Sequence, residues 1–180
     1  MDFDVWAQMG NKGWSYSDLL PYFKKYEKRL GEHDETYRGS KGELPITDLE
    51  YRDPLCEAFI KGAIEQGIPL NKDYNGQFQE GVSYVQRTTK GRFRVSASKA
   101  FLKPVKSRQN LDIITDAFVT KIIIENKTAT GVEYLKGGVR GKKIILKANK
   151  EVILSSGVIK SPHLLNLSGI GSGKHLKDIG

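Results

Sequence analysis

The chain has 180 residues, of which 38% are hydrophobic and 28% charged, and its formal net charge is +8. This length and balance are typical of a globular protein that buries a core. No run of about eighteen apolar residues occurs, so no transmembrane segment is predicted. The opening stretch MDFDVWAQMG lacks the basic and apolar regions of a signal peptide. One cysteine, Cys56, excludes an internal disulfide and a cysteine zinc site.

The positive charge raises the question of a nucleic-acid partner. The basic residues are scattered, however, and the densest stretch, KGGVRGKKIILKANK, mixes them with apolar residues. Such mixing favours a solvated basic surface, so no nucleic-acid partner is expected. A basic nucleic-acid binder stays a weaker hypothesis, which predicts steeply salt-dependent retention on DNA.

Two helices are predicted in the first third of the chain. Ser15 and Asp18 have capping-box spacing, and the apolar pattern continues to Gly31, with Pro21 placed in the first turn. A polar loop leads to a short strand over 43–47. The second helix covers 54–66, and its apolar pattern predicts a buried Cys56.

From residue 82 the spacing of the apolar residues changes from the helical period to the alternation typical of strands. Alternation over 82–88 predicts a strand, and small residues over 96–103 predict a short helix that ends before Pro104. A short strand at 111–115 precedes an antiparallel meander, whose strands are AFVTKIIIE, TGVEYL and KIILKA.

The stretch EVILSSGVIKSPHLL indicates a strand followed by a helix. Its consecutive apolar residues predict a strand over 151–155 that is covered on both faces in a parallel sheet. Ser161 is the expected helix cap and Pro162 the first helical residue. Backbone groups at Ser155, Ser156 and Gly157 would then lie where a ligand can approach closely.

The glycines at the end of the chain do not form a nucleotide loop. The Walker pattern would need glycine at Ser168 and serine or threonine at His175, and the Gly-x-Gly-x-x-Gly pattern fails at Lys174. Gly169 is therefore expected to end a helix.

The histidines give no catalytic or metal site. His33, His163 and His175 have no partner at metal-ligand or triad spacing, so no metal is expected. The sequon Asn126-Lys127-Thr128 lies in a predicted turn and would suit a secreted protein.

Several stretches together resemble one enzyme family. They are DFDVWAQMGNKGWSYSDLLPYFKKYE, YRDPLCEAF, DYNGQFQEGVSYVQ, GRFRVSASKAFLKPV, RQNLDIIT, AFVTKI, ATGVEYL and EVILSSGVIKSPHLLNLSGIG. They are similar to the glucose–methanol–choline (GMC) FAD-dependent oxidoreductases, especially the insect glucose-dehydrogenase-like branch. The last stretch is similar to one of the signature patterns of the family.

The resemblance implies a mixed α+β and α/β fold. Residues 1–90 would be a portion of an antiparallel-sheet substrate-binding cap with two helices. Residues 91–180 would be a portion of a Rossmann-like FAD-binding domain, including the meander and the strand over 151–155. It also implies that Val119 contacts the FAD adenine through its backbone and that Ser155, Ser156 and Gly157 lie close to the cofactor.

The resemblance further implies an activity. Family members oxidise an alcohol or sugar hydroxyl by hydride transfer to FAD and pass electrons to oxygen or a quinone-like acceptor. The glycine-rich pyrophosphate loop would precede Asp2, and the catalytic histidine would follow Gly180, so no catalytic residue is assigned. The chain is expected to be a middle fragment without activity of its own. The alternative is a non-catalytic binding protein on a degenerate GMC scaffold.

Overall fold

The computed structural model describes residues 2–178. Compactness divides the chain between Leu111 and Asp112. We call residues 2–111 the N-terminal unit and residues 112–178 the C-terminal unit. The predicted boundary between residues 90 and 91 separates a substrate-binding portion from an FAD-binding portion. It is a functional boundary and stays a prediction. No helix among the described residues is long and apolar enough to cross a membrane.

Helices and strands of the N-terminal unit are short. They are α1 (Asp2–Gln8), α2 (Tyr16–Tyr26), β1 (Glu27–Arg29), β2 (Leu44–Ile46), α3 (Pro54–Glu65), β3 (Thr89–Lys90) and β4 (Phe93–Arg94). Strands β1 and β2 pair in parallel, and β3 and β4 form an antiparallel hairpin.

The capping box of α2 is confirmed, but the end of the helix is not where the sequence placed it. The Ser15 hydroxyl accepts from the Asp18 N–H at 3.3 Å, and the Asp18 carboxylate accepts from the Ser15 N–H at 3.2 Å. The chain then leaves the helix after Tyr26 and becomes β1. Long-range pairing with β2 overrides the helical pattern here. Pro21 lies inside the helix and not in its first turn.

Helix α3 is confirmed, with Asp53 accepting from the Leu55 N–H at 2.9 Å. The predicted burial of its apolar face is wrong. Leu55 and Phe59 are 79% and 73% exposed, and Cys56 is exposed as well. The half-buried positions of α3 are Ile60, Gly62 and Ala63, so the helix packs through another face than its largest side chains suggest.

Two further predictions in the N-terminal unit are wrong. Residues 82–88 make only isolated bridges, Leu70 with Val82 and Thr47 with Arg87, because no continuous partner strand lies beside them. The helix over 96–103 forms as a π-helical turn, Ser98–Leu102, but a 3₁₀ turn, Lys103–Val105, follows it through Pro104. Proline fits there because the first residues of a helical turn need no N–H donor.

The C-terminal unit contains the predicted meander. Strands β5 (Ala117–Glu125), β6 (Thr128–Lys136) and β7 (Lys142–Lys147) form a three-stranded antiparallel sheet with β6 in the centre. Asn126 and Lys127 join β5 to β6 with φ angles of 49° and 64°, the backbone typical of a hairpin turn that matches strand twist. Residues 111–115 form no strand.

The strand predicted over 151–155 is also wrong. These residues have no strand partner within the described chain, and Ile153 is 78% exposed. Consecutive apolar residues favour a strand only where neighbouring strands cover and pair with it. The meander ends with β7 and supplies no such neighbour.

Two helices complete the unit, α4 (Gly157–Leu167) and α5 (Gly173–Asp178). Helix α4 begins before the predicted Ser161–Pro162 start, so Pro162 lies inside it. Its end is as predicted. Gly169 has a φ of 81°, and the N–H groups of Gly169 and Ile170 donate to the carbonyls of Asn166 and Leu165, the hydrogen bonds of a Schellman motif.

Candidate functional site

Three of the four residues predicted to contact a cofactor lie where the chain enters α4, Ser155 and Ser156 just before the helix and Gly157 as its first residue. Ser155, Ser156 and Gly157 are exposed. Gly157 has a φ of 86°, and a Cβ built on it would meet nothing within 4 Å. Glycine is therefore required by the backbone conformation, while the space beside it is open. The Ser156 N–H donates to the Ser161 hydroxyl at 3.1 Å, which fixes the turn against the first turns of α4.

The fourth residue, Val119, lies on β5 beside a β-bulge. Val119 pairs with Tyr134 and Lys121 with Glu133, so Thr120 is the extra residue. The Thr120 hydroxyl donates to the Glu133 carboxylate at 2.8 Å, which holds the bulge in place. No residue pattern predicts this bulge, because threonine is an ordinary strand residue.

The bulge determines where the backbone of Val119 points. Pairs in an antiparallel ladder alternate between hydrogen-bonded and non-hydrogen-bonded. The Ile122 N–H donates outside the ladder, to the Ser168 hydroxyl at 2.8 Å, so Ile122 and Val132 form a non-hydrogen-bonded pair. Lys121 is then ladder-bonded and Val119 is not. The N–H and C=O of Val119 therefore face the free edge of the sheet, where they can meet a planar ligand edge.

Helix α4 is fixed to the same edge. The Ser168 hydroxyl that accepts from Ile122 also donates to the Leu164 carbonyl at 2.7 Å. An apolar cavity of about 500 Å³ lies beside it, lined by residues that include Ile122, Val152 and Leu154. None of the four predicted contact residues lines this cavity. The structure thus places all four in one unit, on two separate elements.

The carboxyl group of Glu133, beside the bulge, has two neighbours that stabilise its charged form. The Thr120 hydrogen bond, and after it the ammonium of Lys143 at 3.1 Å, hold the pKa of the Glu133 carboxyl below its ordinary value of 4.5. Both partners favour the carboxylate form. Glu133 is therefore an anion at neutral pH.

No group of three or more potential ligands among the described residues could hold a metal ion. His33 Nδ1 lies 2.7 Å from the Gly31 carbonyl, and this hydrogen bond gives the ring a structural role.

Arg38 is the most heavily buried charged residue of the N-terminal unit as described, and no sequence pattern predicts its partners. The Arg38 side chain is 2% exposed and forms a two-bond contact with Glu27, at 2.9 and 2.6 Å. It also donates to Asp73 and, at 3.1 Å, to Gln86. Burial opposes ionisation of Arg38, yet the two carboxylates raise its pKa above the ordinary value. The cluster joins β1 to two distant loops.

A profile of the GMC oxidoreductase family matches residues 1–180. The oxygen-dependent choline dehydrogenase of Sinorhizobium fredii is 45% identical over 179 residues, which are 99% of this chain and 32% of that protein.

Solved structures agree with this match. An FAD-dependent oxidoreductase from Chaetomium thermophilum superposes with a TM-score of 0.89 at 31% identity, covering 99% of this chain and 33% of that one. Pyridoxine 4-oxidase from Mesorbium loti gives 0.85 at 31% identity, with 98% and 34% covered.

The chain thus spans about a third of the length of these relatives, which share 32 to 34% of their length with it. The partial FAD-binding fold and the FAD cofactor implied by the sequence resemblance are confirmed. Both the family profile and relatives above 30% identity cover almost the whole chain, and the chain therefore belongs to the GMC oxidoreductase family.

Proposed function

We propose that this chain is the middle part of an FAD-dependent oxidoreductase that oxidises an alcohol or sugar hydroxyl. The observation that carries the proposal is the outward-facing backbone of Val119, next to a bulge, on the same unit as the open turn at Gly157. When bound, FAD supplies the acceptor for the hydride that leaves the substrate carbon.

The role of the described residues is to hold the cofactor. A backbone N–H and C=O on one strand residue present a donor and an acceptor to a purine edge whatever the side chain is. Val119 offers both at the edge of β5. Ser155, Ser156 and Gly157 provide exposed backbone at the start of α4, where the helix dipole favours negative charge. These four residues are the proposed cofactor contacts.

For the substrate we propose a class of compound, an alcohol or a sugar. Relatives include choline dehydrogenases and an alcohol dehydrogenase from Pseudomonas putida. Within the family we propose the glucose-dehydrogenase-like branch, on the sequence resemblance given above, with oxygen or a quinone-like compound as the electron acceptor. A panel of choline, glucose and simple alcohols, assayed with the parent protein, tests this assignment.

The contact residues can be tested by transplantation. The 180 residues would replace the corresponding third of the Sinorhizobium fredii relative, to which they are 45% identical. We expect the chimera to retain flavin absorbance and alcohol-dependent dye reduction. Val119→Pro removes the outward-facing N–H and should lower the flavin content, while the ladder is kept because proline is tolerated on an edge strand where its N–H faces away from the neighbouring strand.

Val119→Ala is the matched control, because it changes the side chain and keeps the backbone N–H. A Val119→Pro chimera that keeps full flavin content would contradict the assignment of Val119. The isolated chain is expected to carry no flavin after purification. Tightly bound, stoichiometric flavin in it would contradict the fragment interpretation and favour a self-contained binding protein.

A further inference from the structure

Strand β7 forms one edge of the three-stranded sheet, because β6 is the strand that pairs with it and lies on one side of it only. The side chains of β7 are exposed except for that of Ile144, which is half-buried. An uncovered strand edge presents unpaired backbone N–H and C=O groups to which another extended chain can bond. The edge of β7 is therefore open to a further strand.

The register of the sheet shows which backbone groups of β7 face outwards. Val132 is not hydrogen-bonded to its partner in β5, so its backbone groups point to β7 and bond with Leu146. The bonded positions alternate from there, and Ala148 follows this pattern by donating to the Thr130 carbonyl at 2.9 Å. The residues of β7 whose N–H and C=O groups face outwards are Lys143, Ile145 and Lys147.

The side chains of these three residues share one face of the sheet. Ile145 lies opposite Glu133, and its side chain is 58% exposed. Lys143 and Lys147, two positions before and after it, project on the same face, because side chains alternate along a strand. The edge thus combines outward backbone groups with one side-chain pattern, a positive charge, an apolar surface and a second positive charge.

The hairpin that carries this edge is strongly basic. Residues 131–147 include five basic residues and one acidic residue, so their net charge of +4 is half that of the chain. The acidic residue, Glu133, already accepts from the Thr120 hydroxyl and the Lys143 ammonium. The Lys143 side chain is 63% exposed, and ion pairs of exposed lysines are weak, so it can exchange Glu133 for a ligand carboxylate. An acidic partner is therefore favoured at this edge.

Two other occupants fit the edge less well. Antiparallel pairing of β7 with β7 of a second copy would bring lysine against lysine, which is unfavourable. Lysines on an edge strand discourage such self-pairing. A nucleic acid would match the charge, but it has no backbone donors and acceptors that recur at the spacing of alternate strand residues.

We propose that the edge of β7 binds an extended acidic segment of a partner protein, which adds a fourth strand to the sheet. In that segment an apolar residue lies opposite Ile145, and acidic residues two positions before and after it lie opposite Lys143 and Lys147. Backbone hydrogen bonds hold the segment, and its alternate side chains give specificity. Strand β7 carries none of the proposed flavin contacts, so either proposal can fail without the other.

Fluorescence anisotropy of a labelled peptide with the purified chain tests the edge. The peptide Thr-Glu-Thr-Val-Thr-Glu-Thr has the required alternation, and Thr-Thr-Glu-Glu-Val-Thr-Thr has the same composition and charge without it. We expect saturable binding of the first peptide and at least about tenfold weaker binding of the second, since only the first places both carboxylates opposite lysines. Equal binding of both peptides, or no binding of either, would overturn the proposal. Tighter binding of a single-stranded DNA oligonucleotide would overturn it as well.

Two N-methylated forms of the first peptide separate backbone pairing from charge attraction. A methyl group on the valine nitrogen removes the N–H that would face β7, whereas one on the next threonine nitrogen removes an N–H that would face away. We expect the first change to weaken binding at least about tenfold and the second to leave it unchanged, because only the first removes a hydrogen bond to the edge. Equal affinity of the two methylated peptides would contradict strand addition.

Matched variants locate the binding on β7. Ile145→Pro removes the central outward N–H, and proline is tolerated there because this N–H does not donate to β6. Lys147→Glu reverses the charge at one end of the pattern, and Lys174→Glu makes the same change on α5. We expect the two β7 variants each to weaken binding of the alternating peptide by about three- to tenfold and Lys174→Glu to leave it unchanged. Affinity unchanged in both β7 variants would exclude this edge as the site.

Discussion

The backbone angle φ of Gly157 limits which residue types position 157 can hold. Its φ of 86° is unfavourable for a residue with a Cβ, although the space around it is open. We expect Gly157→Ala to lower the free energy of unfolding by about 1–2 kcal/mol through backbone strain alone. Urea unfolding followed by circular dichroism measures this.

Gly62 is the matched control for that substitution. It lies inside α3, where a Cβ would also meet nothing within 4 Å. Because alanine is favoured over glycine inside a helix, Gly62→Ala should raise the free energy of unfolding by about 0.5–1 kcal/mol. The same sign for both substitutions would show that the backbone at Gly157 is not strained.

Among the substitutions considered, replacing Arg38 should lower the free energy of unfolding the most. Arg38→Ala would leave the carboxylates of Glu27 and Asp73 without their shared partner in a buried place. Removing one partner of a buried ion pair typically costs about 3–5 kcal/mol. Lys61→Ala, which removes an exposed ion pair with a 4.0 Å separation, should change stability by no more than about 0.5 kcal/mol. Equal unfolding midpoints for the two variants would refute a structural role for Arg38.

These residues also show what a sequence can reveal at this scale. Ser15 and Asp18 were found because a capping box has fixed local spacing. The partners of Arg38 lie 11 and 35 residues away, and no periodicity encodes such a separation. The sequence alone therefore does not predict the ionic cluster around Arg38.

At the scale of an element, the bulge in β5 makes stability depend on pH. The pKa of the Glu133 carboxyl is lowered, first by the Thr120 hydroxyl and then by Lys143. A carboxyl whose pKa is lower in the folded state stabilises the protein above its unfolded pKa, and this contribution is lost as the pH falls below about 4.5 towards the folded value.

Thr120→Val removes the larger of these two causes. We expect the Glu133 pKa to rise towards its ordinary value, and the acid loss of stability to become shallower. Titration of the Glu133 side chain by NMR measures the pKa directly. A pKa that stays the same in Thr120→Val would mean that the hydroxyl does not hold the carboxylate.

The elements themselves were predicted with uneven success for physical reasons. The meander was found because its strands are joined by short turns, so each strand has its partner nearby in the sequence. The apolar run over 151–155 predicts a strand, but these residues form none, since a strand requires a paired neighbour. For α3 the apolar pattern predicted the helix correctly and its burial wrongly.

At the scale of the molecule, the distribution of apolar side chains predicts association. Among the described residues, the buried hydrophobic ones are Ala100, Ile122, Tyr134 and Leu164, whereas Ile153, Val158 and Ile159 are between 77% and 90% exposed. An exposed apolar stretch with unpaired backbone is prone to edge-to-edge pairing. We expect the purified chain to self-associate, as measured by light scattering.

A lysine at the exposed stretch should reduce this association. Ile153→Lys places a charge where edge pairing would occur, while Val139→Lys adds the same charge at a turn position that is 66% exposed. Only the first should lower the apparent mass. A monodisperse monomer that melts cooperatively without either substitution would contradict the prediction.

The central position of β6 has a kinetic consequence. Among the described strands, β6 alone has a hydrogen-bonded neighbour on both sides. Its amides can exchange with solvent deuterium only after β5 or β7 has separated from it, so they should be the slowest to exchange in the sheet. Because both of its neighbours are adjacent in the sequence, the meander requires only short loop closures and should form early in folding. The strand that carries Val119 would then be in place before the C-terminal end of α4 is fixed against it through Ser168.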